Sequence, residues 1–437
     1  VAVPAAGGSA GLVRRLGTRD AVVLGLGSML GAGVFTAVGP AARAAGSALL
    51  VGLVVAAVVA LANATSSAQL AAVHPVSGGT YVYGRERLGP WWGYLAGWSF
   101  VVGKTASCAA MALTVASYAV PAAWQRPLAV GVVAGVTAVG YRGVTRTAAL
   151  TRALVVAVLA VLAALVVTSL AGADGGVDAR ALGDDLASAG VLGVLQSAGL
   201  LFFAFAGYAR IATMGEEVRD PARTIPRAIV LALSLAVVVY AVVAVTVLAV
   251  LGPDGVAASS TPLAAAAEAG APGAPWVEPL VRAGAVAASL GALLALVAGI
   301  SRTTLAMARD DELPRWLAAV HPRWHVPHHA ETAVGCAVAV LVLVTDLRGA
   351  IAFSSFGVLL YYAVANAAAL TQPAAERRYP RALAVAGLVG CLMLVATLPV
   401  GAVLTGTVVL GLGVVHRLVR RRVRRAGGAD AADGRGA

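Results

Sequence analysis

The chain has 437 residues, 60% of them hydrophobic and 12% charged, and a formal net charge of +12. A mean hydropathy of +0.88 is too apolar for a soluble protein and leaves no room for a soluble catalytic domain. The basic charge comes without an aromatic-interleaved platform, so it reads as a topology signal rather than a nucleic-acid surface.

Residues 1–19 carry Arg14 and Arg15 but no separate apolar core and cleavage site, so no cleavable signal peptide is expected. About twenty apolar helical residues span a bilayer core. About twelve such stretches follow, near 20–39, 47–70, 92–118, 127–140, 152–171, 191–210, 227–251, 280–304, 330–345, 349–371, 382–397 and 399–418. The fourth and ninth are short. The expected fold is an all-α polytopic membrane protein with three parts. A cytoplasmic N-terminal segment covers 1–19, a transmembrane domain 20–418, and a basic and then disordered cytoplasmic tail 419–437.

The first stretch reads G-L-G-S-M-L-G-A-G-V-F, with Gly31, Ala32 and Gly33 at its centre. Glycine destabilises a helix interior by about 1 kcal/mol, so this helix is expected to unwind there. The half-helix that follows would offer free backbone N–H groups and a positive dipole end to a carboxylate. Close helix packing explains the same small residues equally well when the segment is taken alone.

The only lysine, Lys104, lies near the middle of the third stretch. An ionisable residue at that depth faces the bundle interior. Helical spacing puts Gly97, Ser107, Cys108 and Met111 on its face. No membrane-embedded Asp or Glu stands ready to pair with it. It either titrates during transport, serves as a fixed cation where other carriers bind sodium, or caps backbone carbonyls structurally.

The sixth stretch repeats the pattern of the first. It reads L-L-F-F-A-F-A-G-Y, placing Phe203, Ala204, Phe205, Ala206, Gly207 and Tyr208 around a second expected break. Freed carbonyls at Phe205–Gly207 would take an ammonium, while the aromatic residues would close over a bound side chain. Phe202 is the aromatic residue expected to be plain packing. Five stretches separate the two breaks, which suggests a five-plus-five inverted repeat with discontinuous helices 1 and 6, followed by two further helices. Broken helices at matching positions of two halves mark the binding site of a secondary transporter.

Glu216 and Glu217 follow the sixth stretch. With Arg302 and Arg309 they would form an inner latch, or else a solvated loop. His321, His325, His328 and His329 crowd one loop, but two prolines and the lack of an i, i+4 pair on a helix argue against a metal site. Cys108, Cys336 and Cys391 are scattered within apolar stretches, so they read as small packing residues. The tail at 416–425 could rest on anionic lipid. No nucleophile elbow, phosphate-binding glycine loop or paired intramembrane carboxylates are present, which excludes ATP hydrolysis and points away from an enzyme. No cofactor or metal is expected.

With both termini in the cytoplasm, most of the 32 Lys and Arg residues fall inside. Arg43, Arg126, Arg180, Arg282 and Arg348 fall outside. That asymmetry follows the positive-inside rule.

These motifs resemble the amino acid–polyamine–organocation (APC) superfamily of transporters. The resemblance rests on Gly25, Gly27, Gly31, Gly33 and Phe35 in the first helix, and on P-V-S-G-G-T-Y-V-Y at 75–83. It rests also on F-F-A-F-A-G-Y with the following E-E-V-R-D-P-A-R-T-I-P, and on S-R-T-T-L-A-M-A-R-D at 301–310. It implies a substrate pocket between helices 1, 3, 6, 8 and 10, and proton-coupled uptake or exchange of amino acids. Two departures stand out. Val158 occupies the place of a helix-5 lysine found in some proton-coupled members. Gly103 and Lys104 stand where many relatives have an acidic residue and an aromatic one.

The expected function is an inner-membrane amino acid permease for a neutral, or else acidic, substrate, because a lysine in the pocket repels cations. Its expected partners are the amino acid, a coupling proton and the lipid bilayer. A cationic amino acid or polyamine exchanger is the alternative within transport. An amino-acid-binding membrane sensor and a channel are the alternatives outside it. Oligomeric state is open.

Overall fold

The computed structural model describes residues 16–74, 78–143, 148–172, 179–212, 214 and 218–433, with backbone alone for 172, 179–184 and 423–433. Among the described residues every regular element is a helix. The first eight are α1 (Thr18–Met29), α2 (Ala32–Thr36), α3 (Val38–Ala45), α4 (Leu49–Val73), α5 (Thr80–Leu88), α6 (Pro90–Ala119), α7 (Ala122–Tyr141) and α8 (Ala148–Gly172). Then come α9 (Ala179–Phe205), α10 (Ala209–Ala212), α11 (Pro221–Ala258), α12 (Pro262–Gly270) and α13 (Val277–Arg309). The last four are α14 (His328–Val344), α15 (Leu347–Leu370), α16 (Arg381–Thr397) and α17 (Val400–Asp433).

Nine segments of the described chain are long and apolar enough to cross a membrane. The three sequence stretches outside that set have visible reasons. The first is divided among α1, α2 and α3, whereas α14 and α16 are 17 residues each. The 426–433 backbone, expected to be disordered, continues α17 as helix.

Burial sorts the helices into a centre and a periphery. The most apolar windows of α15 and α6 are 83% and 78% buried, against 11% for α7 and 22% for α17. α6 packs along both α15 and α13, while α4 packs on α9 and α11. The α6–α15 seam explains why Gly103 carries no acidic side chain. A Cβ on Gly103 would lie 3.0 Å from Gly357 Cα, and one on Gly357 would lie 2.7 Å from Gly103 Cα. Two backbones in contact leave no volume there for a carboxylate. One turn along, Ser107 Oγ and Ser354 Oγ pair at 2.6 Å across the same seam.

The cysteines divide differently from the expectation that all three pack. Cys108 and Cys391 are buried, but Cys336 is exposed on α14. α14 lies at the periphery of the bundle, and Cys336 is on its exposed face. The basic stretch at 416–425 also turns partly inward. Arg417 is 1% exposed, pairs with Glu312, and lies over the rings of Trp91 and Tyr94 at 4.4 and 4.6 Å. Arg420 donates to the backbone carbonyls of Asp311 and Leu313.

Candidate functional site

The first apolar segment is interrupted where its glycines predict. α1 ends at Met29, Leu30 and Gly31 leave the helical region (Gly31 φ −97°, ψ −142°), and α2 begins at Ala32. A helix that restarts exposes its first backbone N–H groups. The sixth segment is interrupted too. α9 stops at Phe205, Ala206–Tyr208 tightens into a 3₁₀ turn, and α10 resumes at Ala209. Such a turn inside a helix releases carbonyls from their regular partners.

The two breaks cross each other in the middle of the bundle. A Cβ on Gly33 would lie 2.5 Å from Ala204 Cα, and a Cβ on Gly207 would lie 2.7 Å from Met29 N and collide with the Ser28 carbonyl. Both crossings therefore require glycine.

Side chains from surrounding helices occupy the freed carbonyls. The Tyr240 hydroxyl on α11 lies 2.8 Å from Met29 O and 3.0 Å from Ala204 O and shares its one proton between the two breaks. Lys104 on α6 is 6% exposed and donates from Nζ to Ala206 O at 3.0 Å. Tyr362 on α15 reaches the same oxygen at 3.4 Å. Tyr208 is stacked on Tyr362 with ring centroids 4.9 Å apart. Phe202 meets Tyr362 edge-on, as packing. Phe205 lies against Tyr240 at 5.0 Å.

Beside the crossing lies a cavity of about 280 Å³, a volume suited to a small ligand. Ser28 on α1, Phe100, Lys104, Ser107 and Met111 on α6, and Phe203, Ala206 and Gly207 at the second break line it. Its far wall is α13, through Ala292, Ala295, Gly299, Arg302, Thr303 and Ala306. Tyr361 on α15, Tyr81 on α5 and Arg210 on α10 also line it. Ala292 is buried whereas Ala295, Arg302 and Arg210 are exposed, so the cavity opens toward α5.

The opposite end is closed. Phe35 and Tyr118 meet edge-on at 5.9 Å, Tyr118 donates to Phe35 O at 2.8 Å, and Arg282 reaches Tyr118 O at 3.4 Å. Among the described lining residues Lys104, Arg210 and Arg302 are cationic and no Asp or Glu appears.

Of the residues singled out from the sequence, Lys104 and its face neighbours Ser107 and Met111, together with Phe203, Ala206, Gly207 and Arg302, reach this cavity. Ala204, Phe205 and Tyr208 lie behind it as buried support. Gly31 sits at its blind end, where an added Cβ would lie 2.9 Å from Ala292 Cβ, with Ala32 starting the next helix. Gly33 is at the crossing itself. Glu216 and Glu217 fall outside the described residues, and Arg302 instead acts electrostatically on Glu331 at the start of α14.

Sequence reading did not single out Tyr240, Tyr361, Tyr362 or the individual α13 residues of the wall other than Arg302, although the resemblance implied a pocket reaching the eighth stretch. The wall had a usable signal: Ala292, Ala295, Gly299, Arg302 and Ala306 recur every three or four residues.

Comparison with known proteins adds an independent line. The profile described as amino acid permease matches residues 16–413. An uncharacterised transporter of Mycobacterium tuberculosis is 60% identical over 423 residues, covering 96% of this chain and 95% of its own length. The branched-chain amino acid permease of Bacillus subtilis is 26% identical, covering 88% of this chain and 86% of its own. The human cationic amino acid transporter 4 is 31% identical, covering 80% of this chain and 58% of its own length.

Proposed function

The chain belongs to the amino acid permease family, and from that premise we propose that it is a secondary transporter working by alternating access on a neutral amino acid. The observation that carries this is the meeting of two helix breaks at a cavity open toward one end only. Twelve spans arranged as an inverted five-plus-five repeat fit the placement of the breaks. α1–α8 would form one half and α9–α15 the other. With the Arg-rich α5 end in the cytoplasm, the conformation is open to the inside.

In this reading the substrate carboxylate is received by the backbone N–H groups at the start of α2, near Gly31, Ala32 and Gly33. The ammonium goes to the carbonyls of the break at Ala206 and Gly207, and the side chain lies against Phe203. Uptake is proton-coupled or proceeds by exchange.

The relatives' names point to two substrate classes, branched-chain and cationic. Lys104 favours the neutral class, because a buried ammonium within the cavity repels a cationic side chain. An acidic substrate is the second reading, favoured by the three cations and the lack of Asp or Glu among the described lining residues.

A thermal-shift panel of amino acids and polyamines on purified protein tests this, since a ligand of the native state raises its apparent stability. Stabilisation by a small neutral set is expected. Stabilisation by arginine, lysine or polyamines alone would overturn the substrate assignment.

A further inference from the structure

We propose that the Lys104 ammonium is a built-in stand-in for the substrate's ammonium, holding the Ala206 carbonyl while the carrier is empty and giving it up when substrate arrives. This rests on the reading of the second break as the ammonium subsite. Ala206 O already accepts from Lys104 Nζ at 3.0 Å and from Tyr362 Oη at 3.4 Å. A carbonyl oxygen has two lone pairs, so a substrate ammonium must displace one donor.

Tyr362 is the fixed one. It is fully buried and stacked on Tyr208. Lys104 is the movable one, because its side chain lines the cavity and its ammonium sits on a flexible four-carbon stem.

Two consequences follow. In the empty carrier the break remains hydrogen-bonded, so the protein can pass between its two orientations without cargo. Net transport is then possible and obligatory exchange is not. The second consequence is competition. Apparent affinity is reduced by the fraction of carriers in which the lysine holds the subsite. Removing the ammonium therefore tightens substrate binding and slows the return of the empty carrier, whereas a residue that paired with the substrate would do the opposite to binding.

The test uses the full chain in proteoliposomes, comparing exchange of an amino acid against itself with net uptake into substrate-free vesicles. Lys104→Met removes the donor, and Lys104→Gln keeps a neutral donor and serves if the methionine variant does not fold. For Lys104→Met we expect exchange to persist, half-saturation to fall about fivefold and net uptake to fall about tenfold. Lys104→Gln should fall between it and the wild type. Equal loss of exchange and net uptake in a variant that elutes as a single folded species would overturn the proposal, as would a rise in half-saturation. If the wild type moves no amino acid in either mode, the transport reading itself fails, independently of how the variants rank.

Discussion

Tyr240 shows how much of this site depends on single hydroxyls away from the glycines. Its one hydroxyl lies within bonding distance of carbonyls on both broken helices, and at Met29 O it adds to the 2.8 Å bond from Gly31 N–H. Tyr240→Phe keeps the ring against Phe205 and removes only those bonds. A hydrogen bond of this kind contributes about 0.5–1.5 kcal/mol net, so the variant should unfold earlier on heating in detergent and bind substrate more weakly. An unchanged unfolding midpoint would mean that the carbonyls find other partners.

At the same scale, Gly103→Ala forces a methyl between α6 and α15 at the Gly357 contact. Overpacking of this kind costs about 1–3 kcal/mol, and a thermal melt of the purified variant would read it.

The glycines were legible in sequence because a helix break needs few residue types. Tyr240 was not legible, since a lone tyrosine in V-V-V-Y-A-V-V has no partner until α11 is laid against both breaks. Lys104 was legible as the only lysine, and both a carbonyl-capping role and free carbonyls at Phe205–Gly207 were legible, but not that the two meet, because that needs α6 laid against the second break.

Between elements, polar contacts concentrate at the end where the cavity opens. Tyr81 on α5 donates to Asp310 at 2.6 Å, and Arg85 pairs with the same carboxylate at 2.7 Å. Burial, and then the hydrogen bond to Asp310, raise the Tyr81 hydroxyl above its ordinary value, so it remains a donor through the neutral and mildly alkaline range. The Arg85–Asp310 pair is about two-fifths exposed, and such pairs contribute about 0–1 kcal/mol. Asp310→Asn should therefore leave stability nearly unchanged while altering the maximal transport rate, because α5 and the end of α13 border the cavity mouth. A large fall in melting temperature would reassign the contact to structure.

Arg417 is the contrasting case. It is buried with Glu312 and holds α17 to the segment after α13. Arg417→Met alone strands the Glu312 charge and should cost about 3–5 kcal/mol, with much of the loss recovered by adding Glu312→Gln. Equal instability of the single and double variants would contradict this. The tail's basic residues suggested lipid contact from sequence because charge alone does not show which face of a helix turns inward.

For the whole molecule, the segment pattern carried much of the architecture: nine of the twelve expected apolar stretches stand in order as long apolar helical segments among the described residues. The α13 wall was obscured because alanine and glycine line cavities and pack helices alike, so only the assembled bundle separates the two uses. The closed end at Phe35, Tyr118 and Arg282 and the open end at Arg302 are the features on which the proposed alternating access rests. The most direct measurement is counterflow of a panel of labelled amino acids into preloaded proteoliposomes, for the wild type and for Gly207→Leu. The account predicts saturable counterflow of a small neutral set, lost in the variant because a side chain at Gly207 collides with the first break. No saturable counterflow for any amino acid, or counterflow undiminished in Gly207→Leu, would contradict it.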